Sequence, residues 1–284
     1  MIAPRLQFHW LKAGHCSHPE CVAMRGGRWQ SVMFPALCGL IVHPVRGNIL
    51  FDTGYSQHFL AATQAFPERL YRWTTPMTLA PEEVLTQQLA QLGIRAGDIN
   101  YVVISHVHGD HIAGLRDFPN ARLIISRAEY DSAASMSRLG GLMHGYLPAL
   151  LPPDFADRLV FVEDAASLGL PAELAALGSG FDLFGDASLI AIPLPGHSRG
   201  QIGVSFKGDD DRRIFLVGDA CWSMDALMGN QLPTWFASRI FSNVRQYQQT
   251  FTGLRQIAAI PGGAMLLPSH CQQSWAGFRN ECRT

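Results

Sequence analysis

One short segment, Ser105–His111 with the sequence SHVHGDH, constrains this chain more than any other. It directly follows the run YVVI, whose apolar and β-branched residues predict a buried strand. Three imidazoles and one carboxylate within seven residues are all potential metal ligands. His106 and His108, two positions apart on extended backbone, are expected to project to the same side and share one cation. Asp110 and His111 are expected to turn towards a second cation.

Two cations need more ligands than these four, and three further candidates each follow a strand-like run. They are His197 in PGHSRG, Asp219 in VGDA and His270 in LPSH. Strand ends at one edge of a sheet converge in space, so we expect these side chains beside the first four. We expect Asp219 to bridge the two cations. One cation would be held by His106, His108 and His197, and the other by Asp110, His111 and His270.

The ligand types predict which metals the site takes and how its backbone is shaped. Imidazole and carboxylate ligands favour Zn²⁺, with Fe, Mn and Co as alternatives. Gly109 is expected where the backbone must fold sharply between the two ligand pairs.

Strand-like runs and helical patterns alternate along the chain, which indicates sheets covered by helices in a single domain spanning residues 1–284. A Pro at the start, two Glu after it and Gly93 beyond the end predict a helix over Pro81–Leu92. A second helix is predicted from the apolar stripe Val244, Tyr247, Phe251, Leu254 and Ile257. Strands are predicted at Leu40–His43, Asn48–Phe51, Tyr101–Ile104, Arg122–Ile125, Ser188–Ile192, Gln201–Phe206, Arg213–Val217 and Met265–Leu267.

Two apolar stretches with weak periodicity, residues 136–185 and 221–241, do not fit this alternation. Irregular insertions of this kind often form the wall or lid of a pocket. We therefore expect them to border a binding site for an apolar group.

Composition excludes several classes of protein. The net charge is -1 and no basic half stands out, so nucleic-acid binding is not expected. No apolar run reaches the roughly 18 to 20 residues of a membrane span, and the first residues lack the pattern of a signal peptide. Only 16% of residues are charged, which is compatible with a homodimer.

The cysteines are too sparse for a disulfide scaffold, so we expect thiols and a cytoplasmic location. They are Cys16, Cys21, Cys38, Cys221, Cys271 and Cys282. Cys221 and Cys271 flank two of the predicted ligands and are expected to pack near the site. The cluster His15–Cys21 matches no common zinc module and is expected to be a surface loop.

Several motifs occur in an order that resembles one family. They are FDTG at 51–54, HxHxDH at 106–111, PGHSxG ending at Gly200, GD at 218–219 and SH at 269–270. This order resembles the metallo-β-lactamase superfamily of hydrolases. The resemblance implies an α+β fold, a four-layer αββα sandwich with the metals at the edge of its two sheets. It also implies that Asp52 holds a ligand histidine in one tautomer, whereas composition alone indicates a turn residue.

Within this superfamily the chain resembles the acyl-homoserine-lactone lactonases most. Asp219 is not the Cys of many β-lactamases, and DTGY at 52–55 resembles the lactonases more than the glyoxalase II thioesterases. These lactonases place a Tyr three residues after the bridging Asp, where this chain has Trp222. An indole N–H donates a hydrogen bond but cannot accept one, so the substrate is expected to differ.

The resemblance implies a binuclear metal-dependent hydrolase that opens a lactone or carboxylic ester with an apolar acyl group. A hydroxide bridging two divalent cations would attack the carbonyl. Asp110 would protonate the leaving alkoxide, and Trp222 would stand beside the substrate. Two alternatives remain: a thioesterase of the glyoxalase II or carrier-protein type, and a non-catalytic metal-binding regulatory protein.

Overall fold

The computed structural model describes residues 3–281, and their strands form two sheets. The strands of the first sheet are β1 (Gln7–Pro19), β2 (Ser31–His43), β3 (Gly47–Phe51), β4 (Met77–Thr78), β5 (Ile99–Val103), β6 (Arg122–Ile125) and β7 (Leu159–Phe161). Those of the second are β8 (Ala166–Gly169), β9 (Ser179–Asp182), β10 (Ile190–Pro193), β11 (Ile202–Lys207), β12 (Arg213–Gly218) and β13 (Met265–Pro268). The spatial orders are β4-β1-β2-β3-β5-β6-β7 and β13-β12-β11-β10-β9-β8.

Helices cover the outer faces of these sheets. The α-helices are α1 (Glu20–Ala23), α2 (Gln57–Ala62), α3 (Arg69–Thr74), α4 (Leu85–Gln91), α5 (Gly109–Ile112), α6 (Arg127–Ser135), α7 (Arg138–Met143), α8 (Met224–Met228), α9 (Val244–Ala258) and α10 (Gln272–Glu281). Short 3-10 helices lie at Pro81–Glu83, Ala96–Asp98, Leu115–Asp117, Pro148–Leu150, Ala156–Arg158, Val162–Asp164, Ala172–Leu177 and Ala237–Ile240.

Three apolar clusters hold these layers together. Phe51 and Val103 of the first sheet meet Val204 and Leu216 of the second in a core between the sheets. A second cluster joins the outer face of the first sheet to helices such as α2 and α4. A third joins the second sheet to α9, whose buried side chains include Tyr247, Phe251, Leu254 and Ile257. The predicted four-layer αββα sandwich is therefore confirmed.

The predicted ligands follow strand ends at one edge of the sandwich. In the first sheet, β3 and β5 run parallel, and residues 105–111 leave the end of β5. In the second sheet, β12 and β13 also run parallel, and Asp219 and His270 follow their ends. His197 lies in the loop after β10. Parallel neighbours end at the same edge, which brings distant parts of the sequence together.

Two elements differ from their predicted bounds. The predicted helix Pro81–Leu92 is a 3-10 turn followed by α4, because Val84 between them has extended backbone with ψ of 118°. Strand β2 begins nine residues before the predicted Leu40. The added part contains Pro35, and proline usually argues against a central strand. The structure accommodates Pro35 opposite His15, beside a register shift in β1.

The prediction of a surface loop at His15–Cys21 is wrong. Residues 15–19 form the end of β1, which pairs with β2 and β4, and the last two residues start α1. Cys16 faces the apolar core, and the His18 ring packs against Phe34 with centroids 6.2 Å apart. Pairing with an apolar neighbouring strand explains why this polar segment is ordered as a strand.

Part of the stretch 136–185 belongs to the sheets. It supplies β7 at the end of the first sheet, and β8 and β9 at the end of the second. The expectation of an irregular insertion is wrong for these strands, which extend the sheets by main-chain pairing. A lid formed by the rest of this stretch stays a prediction.

Two predictions from composition, on membrane spans and on cysteines, can be compared with the described residues. Within it, the helices are all too short or too polar to cross a bilayer. Its five cysteines are free thiols, and Cys282 lies outside the described residues.

Candidate metal centre

The first group of candidate ligands is His106, His108 and His197, together with Asp219. One ligand atom from each of these buried residues lies within 4.8 Å of those of the others. His108 Nδ1 is 3.0 Å from His197 Nε2, and the His106 and His108 rings are 4.4 Å apart. His106 and His108 both lie in the extended loop after β5, as their spacing of two positions predicts.

The second group is Asp110, His111 and His270, whose ligand atoms also lie within 4.8 Å of one another. Asp110 and His111 lie on the single turn of α5, which redirects them away from the loop before it. His270 Nε2 lies 3.5 Å from Asp110 Oδ2. This is the division into two groups that the sequence predicts.

Asp219 lies between the two groups and contacts both. Its Oδ2 is 3.2 Å from His197 Nε2 in the first group. Its Oδ1 is 3.2 Å from His111 Nε2 and 3.1 Å from His270 Nε2 in the second. A carboxylate whose two oxygens face two sets of imidazoles has the geometry needed to bridge two cations.

Asp52 fixes the tautomers of two candidate ligands. Its Oδ2 accepts a hydrogen bond from His111 Nδ1 at 2.7 Å and another from Ser105 Oγ at 2.8 Å. Ser105 Oγ in turn lies 2.9 Å from His106 Nδ1 and accepts its proton. Both imidazoles therefore carry a proton on Nδ1 and turn Nε2 towards the centre.

The main chain of β2 orients a third candidate ligand. His270 Nδ1 donates to the carbonyl oxygen of Pro35 at 2.7 Å. This bond leaves Nε2 of His270 directed at Asp219 and Asp110, where a cation would lie. Neither Ser105 nor the Pro35 carbonyl was expected from the sequence. Ser105 was detectable as the neighbour of a ligand, whereas nothing in the sequence pairs Pro35 with a residue 235 positions away.

The residues present fit a pair of divalent cations. Within residues 3–281, His106 Nε2, His111 Nε2 and Asp219 Oδ1 are buried without a hydrogen bond. Buried polar atoms usually have partners, so several unpaired atoms among the candidate ligands call for a bound group. Five nitrogen donors and two carboxylates suit Zn²⁺ and the other transition metals predicted above.

The imidazoles of the first group are neutral at pH 7. Burial and the neighbouring imidazoles hold the pKa of His106 well below its usual value. Burial also holds the pKa of His197 well below its usual value and lowers that of His108 to about 4. Neutral imidazoles are the form that binds metal.

The second group has more negative charge around it. Burial alone would lower the pKa of His111, but Asp219, Asp52 and Asp110 raise it well above its usual value. Asp219 raises the pKa of His270 in the same way, against the effect of burial. Three carboxylates around two imidazoles create a site that attracts positive charge.

Gly109 lies where the extended backbone at His108 changes into α5. Its backbone does not adopt a positive φ. A Cβ at this position would lie 2.9 Å from Cε2 of Phe59 and 3.3 Å from Cε1 of Tyr71. The backbone changes direction at Gly109 as predicted, but the reason for glycine there is that these two aromatic rings pack directly on α5.

Trp222 lies against the centre but donates its N–H to a candidate ligand. Its Nε1 is 3.1 Å from Asp219 Oδ2. The ring makes edge contacts with His197, Phe34 and Phe241 at centroid distances of 6.1, 6.3 and 5.9 Å. Contact of Trp222 with a substrate stays a prediction.

A cavity of about 640 Å³ opens beside the second group of ligands. His270 and Trp222 are among the residues that line it, together with Met24, Val32 and Phe34. The volume lies within the range of small-molecule sites. The predicted pocket stretch 221–241 contributes Trp222 and residues of α8 to this lining.

The cysteines near the centre are buried. Burial raises the pKa of the Cys221 thiol well above its usual value. Cys271 Sγ lies 3.0 Å from Ser274 Oγ at the start of α10. Both environments agree with the prediction that these thiols pack near the site.

Comparisons with known proteins agree with this geometry. The family model described as the metallo-beta-lactamase superfamily matches residues 32–257. N-acyl homoserine lactonase AttM of Azorhizobium caulinodans is 27% identical over 258 residues, which cover 91% of this chain and 90% of that protein.

Two solved structures have the same fold. One is an N-acyl homoserine lactone hydrolase with the product N-hexanoyl-L-homoserine bound at its catalytic metal center. It has a TM-score of 0.72 and 18% identity, and the match covers 98% of this chain and 97% of that one. The other is AidC, a dizinc quorum-quenching lactonase, with a TM-score of 0.66 and 18% identity over 96% of this chain and 90% of that one.

Proposed function

Because this chain belongs to the metallo-beta-lactamase superfamily, we propose that it is a binuclear metal-dependent hydrolase that opens lactones carrying an apolar acyl group, with N-acyl homoserine lactones as the class to test first. The observation that carries the proposal is the position of Asp219, with one oxygen facing each group of histidines. The lactonase relatives and the product-bound neighbour support this substrate class. We propose zinc as the metal, as in the dizinc neighbour.

The proposed roles of the ligands follow from the geometry above. The first cation would be held by His106, His108 and His197. The second would be held by Asp110, His111 and His270, with Asp219 shared between the two. When bound, the cations supply a water of lowered pKa, about 7 for zinc, and polarise the lactone carbonyl.

Asp110 is proposed to move the proton that the reaction requires. Hydrolysis adds water across the ring C–O bond, so the leaving alkoxide must gain a proton. The Asp110 side chain is 13% exposed, more than those of His111, Asp219 and His270 beside it. Its carboxylate would accept the proton that the attacking water loses and pass it to the oxygen of the leaving alkoxide.

The cavity is proposed to hold the acyl chain. The cavity reaches the centre at His270, and the lactone carbonyl would lie there, beside Trp222. Met24, Val32 and Phe34 offer apolar contact along its walls. Trp222 is proposed to act in two ways, as a wall for the substrate and as a donor that restrains Asp219.

A comparison of substrates tests this proposal. Zinc-loaded protein is assayed with acyl homoserine lactones of short and long chain, followed by proton release, and with an acyl thioester, followed by free thiol. We expect faster turnover of the lactones and a rise in kcat/KM with chain length.

Each alternative has its own outcome in this assay. A preference for the thioester would contradict the lactonase proposal and favour a thioesterase. Binding of zinc without turnover of either substrate would favour a regulatory protein.

A second test reduces the size of the cavity by substitution. Ala226→Leu is expected to lower turnover of long-chain lactones and leave turnover of a short-chain lactone unaffected, because Ala226 lines the cavity.

Two further features of the protein rest on composition alone. A cytoplasmic location and a homodimer therefore stay predictions.

A further inference from the structure

Glu129 is a buried carboxylate that has no part in the chemistry proposed above. It lies in the first turn of α6 and is 2% exposed. It does not belong to either group of candidate metal ligands. A buried carboxylate is costly unless hydrogen bonds compensate it, so its contacts explain why it is there.

The two oxygens of Glu129 contact two different ligand-bearing loops. Oε1 accepts a hydrogen bond from the backbone N–H of Val107 at 3.0 Å, and Val107 lies between the two histidines of the HVH segment. Oε2 accepts from Ser198 Oγ at 2.6 Å and from the N–H of Gly200 at 2.9 Å. Ser198 directly follows His197, so one side chain joins both loops of the first ligand group.

The start of α6 is itself fixed against the second of these loops. Ser126 caps the helix by accepting from the N–H of Glu129 at 3.1 Å, and its Oγ donates to the carbonyl of Gly200 at 2.6 Å. A Cβ at Gly200 would lie 2.2 Å from the Glu129 nitrogen, so this approach requires glycine. Glu129 is therefore anchored at its backbone and at both carboxylate oxygens.

The joined loops carry two ligands of the first group that lie close together. His108 Nδ1 and His197 Nε2 are 3.0 Å apart. Each histidine is one residue away from a donor to Glu129. A metal site tolerates ligand displacements of only about 0.5 Å, so the spacing of these loops matters for binding.

We infer that Glu129 is a positioning residue that sets the spacing of His108 and His197 and so sets the affinity of the first ligand group for its cation. The inference rests on the proposed metal centre. An ionised carboxylate is an acceptor at both oxygens, and all three of its partners are donors. The carboxamide of Gln has nearly the same shape but turns an N–H₂ group towards one of these donors.

Glu129→Gln is therefore the main test, with Glu163→Gln as its matched control. Glu163 also accepts a hydrogen bond at the start of α6, from the N–H of Arg127 at 2.9 Å, but it is exposed and contacts neither loop. Zinc affinity is measured by competition with a chelator, zinc content by mass spectrometry, and ligand geometry by the visible spectrum of the cobalt-substituted protein. Circular dichroism of the metal-free variants checks the fold.

We expect Glu129→Gln to weaken one of the two zinc sites by about 10–100-fold and to change the cobalt spectrum. Glu163→Gln is expected to match the wild type in all three measurements. Ser198→Ala, which removes one donor and leaves two, is expected to weaken the same site by a smaller factor. If Glu129→Gln does not fold, Ser198→Ala decides the question.

Two results overturn the inference. The first is an unchanged zinc affinity and cobalt spectrum in whichever of Glu129→Gln and Ser198→Ala folds. This result would show that Glu129 only stabilises the fold, even if the melting temperature of the variant is lower than that of the wild type. A wild-type protein that binds fewer than two zinc ions would overturn the proposed metal centre and the inference with it. The two failures are distinguished by the wild-type zinc content.

Discussion

Asp52 and His111 form a short hydrogen bond, with Asp52 Oδ2 2.7 Å from His111 Nδ1, in the buried edge of the sandwich. The same oxygen accepts from Ser105 Oγ, which lies 2.9 Å from His106 Nδ1. Asp52 therefore orients one imidazole in each ligand group. Its own backbone has a positive φ of 59°, a conformation that Asp tolerates better than most residues. One side chain in an uncommon backbone conformation thus links the two halves of the centre.

Asp52→Asn is expected to lower zinc affinity at both ligand groups by about 10–100-fold, because the charge that fixes both tautomers is lost. Chelator competition measures the effect. Asp186→Asn is the matched control, since Asp186 also lies beside a buried histidine, 3.4 Å from His43, in a pair outside the candidate ligands. Equal zinc affinity in Asp52→Asn and wild type would contradict this role of Asp52.

Trp222→Phe is expected to keep two zinc ions and lower lactone kcat about tenfold. The variant keeps a ring at the wall of the cavity but loses the N–H that donates to Asp219 Oδ2. Hydrogen bonds to charged groups contribute about 1.5–3 kcal/mol, and tenfold corresponds to the lower end of that range. Steady-state kinetics with one acyl lactone measures the change.

Trp222→Tyr separates the two roles proposed for this residue. If the hydrogen bond to Asp219 matters, the phenol restores part of the activity that Phe loses. Wild-type kcat in Trp222→Phe would show instead that Trp222 serves only as a wall.

Removal of metal is expected to lower the melting temperature by about 10 °C. A ligand present at 1,000 times its dissociation constant stabilises a folded protein by about 4.1 kcal/mol, and each kcal/mol shifts a large domain by about 2–4 °C. Calorimetry with and without a chelator gives the difference. A chain in which the clustered imidazoles and carboxylates hold no cation would melt at the same temperature in both buffers.

The stability of the metal-free protein is expected to depend on pH through His43. Burial lowers the pKa of His43, whose Nδ1 accepts the N–H groups of Val45 and Arg46 at 3.0 Å each. Below about pH 6.5 the unfolded chain binds a proton here that the folded state does not. Stability therefore falls as pH decreases, by at most about 1.4 kcal/mol per pH unit.

His43→Asn provides the comparison, because an Asn oxygen can accept the same two N–H groups and does not titrate. Urea unfolding of both proteins at pH 7, 6 and 5, with chelator present, measures the slopes. We expect the wild type to lose more stability on acidification than His43→Asn. Parallel curves would rule out this contribution of His43.

The grouping of the candidate ligands in space could be predicted from the sequence because their residue types and local spacing are typical of a metal site. His106, His108, Asp110 and His111 lie within six residues of one another in the sequence. The other three candidates were predicted because each follows a strand-like run. The αββα fold followed from the resemblance that the motifs carry. Local spacing and strand ends were therefore sufficient to predict which candidate ligands lie together.

The groups that support the ligands could not be predicted in the same way. Glu129 acts on loops that begin 22 residues before it and end 71 residues after it, and a Glu early in a helix usually serves as a helix-stabilising charge. The Pro35 carbonyl has no side-chain signal at all. Strand β1 was missed because its polar histidines and lysine hide the alternation on which strand prediction depends.

Titration of the metal-free protein with zinc, followed by lactone turnover at each step, tests the central claim most directly. If both ligand groups act together through Asp219, turnover should rise to a plateau at two zinc ions per chain, and Asp219→Asn should remain far below that plateau. Full turnover with no zinc or with one zinc ion, or no lactone turnover at two, would contradict the binuclear lactonase.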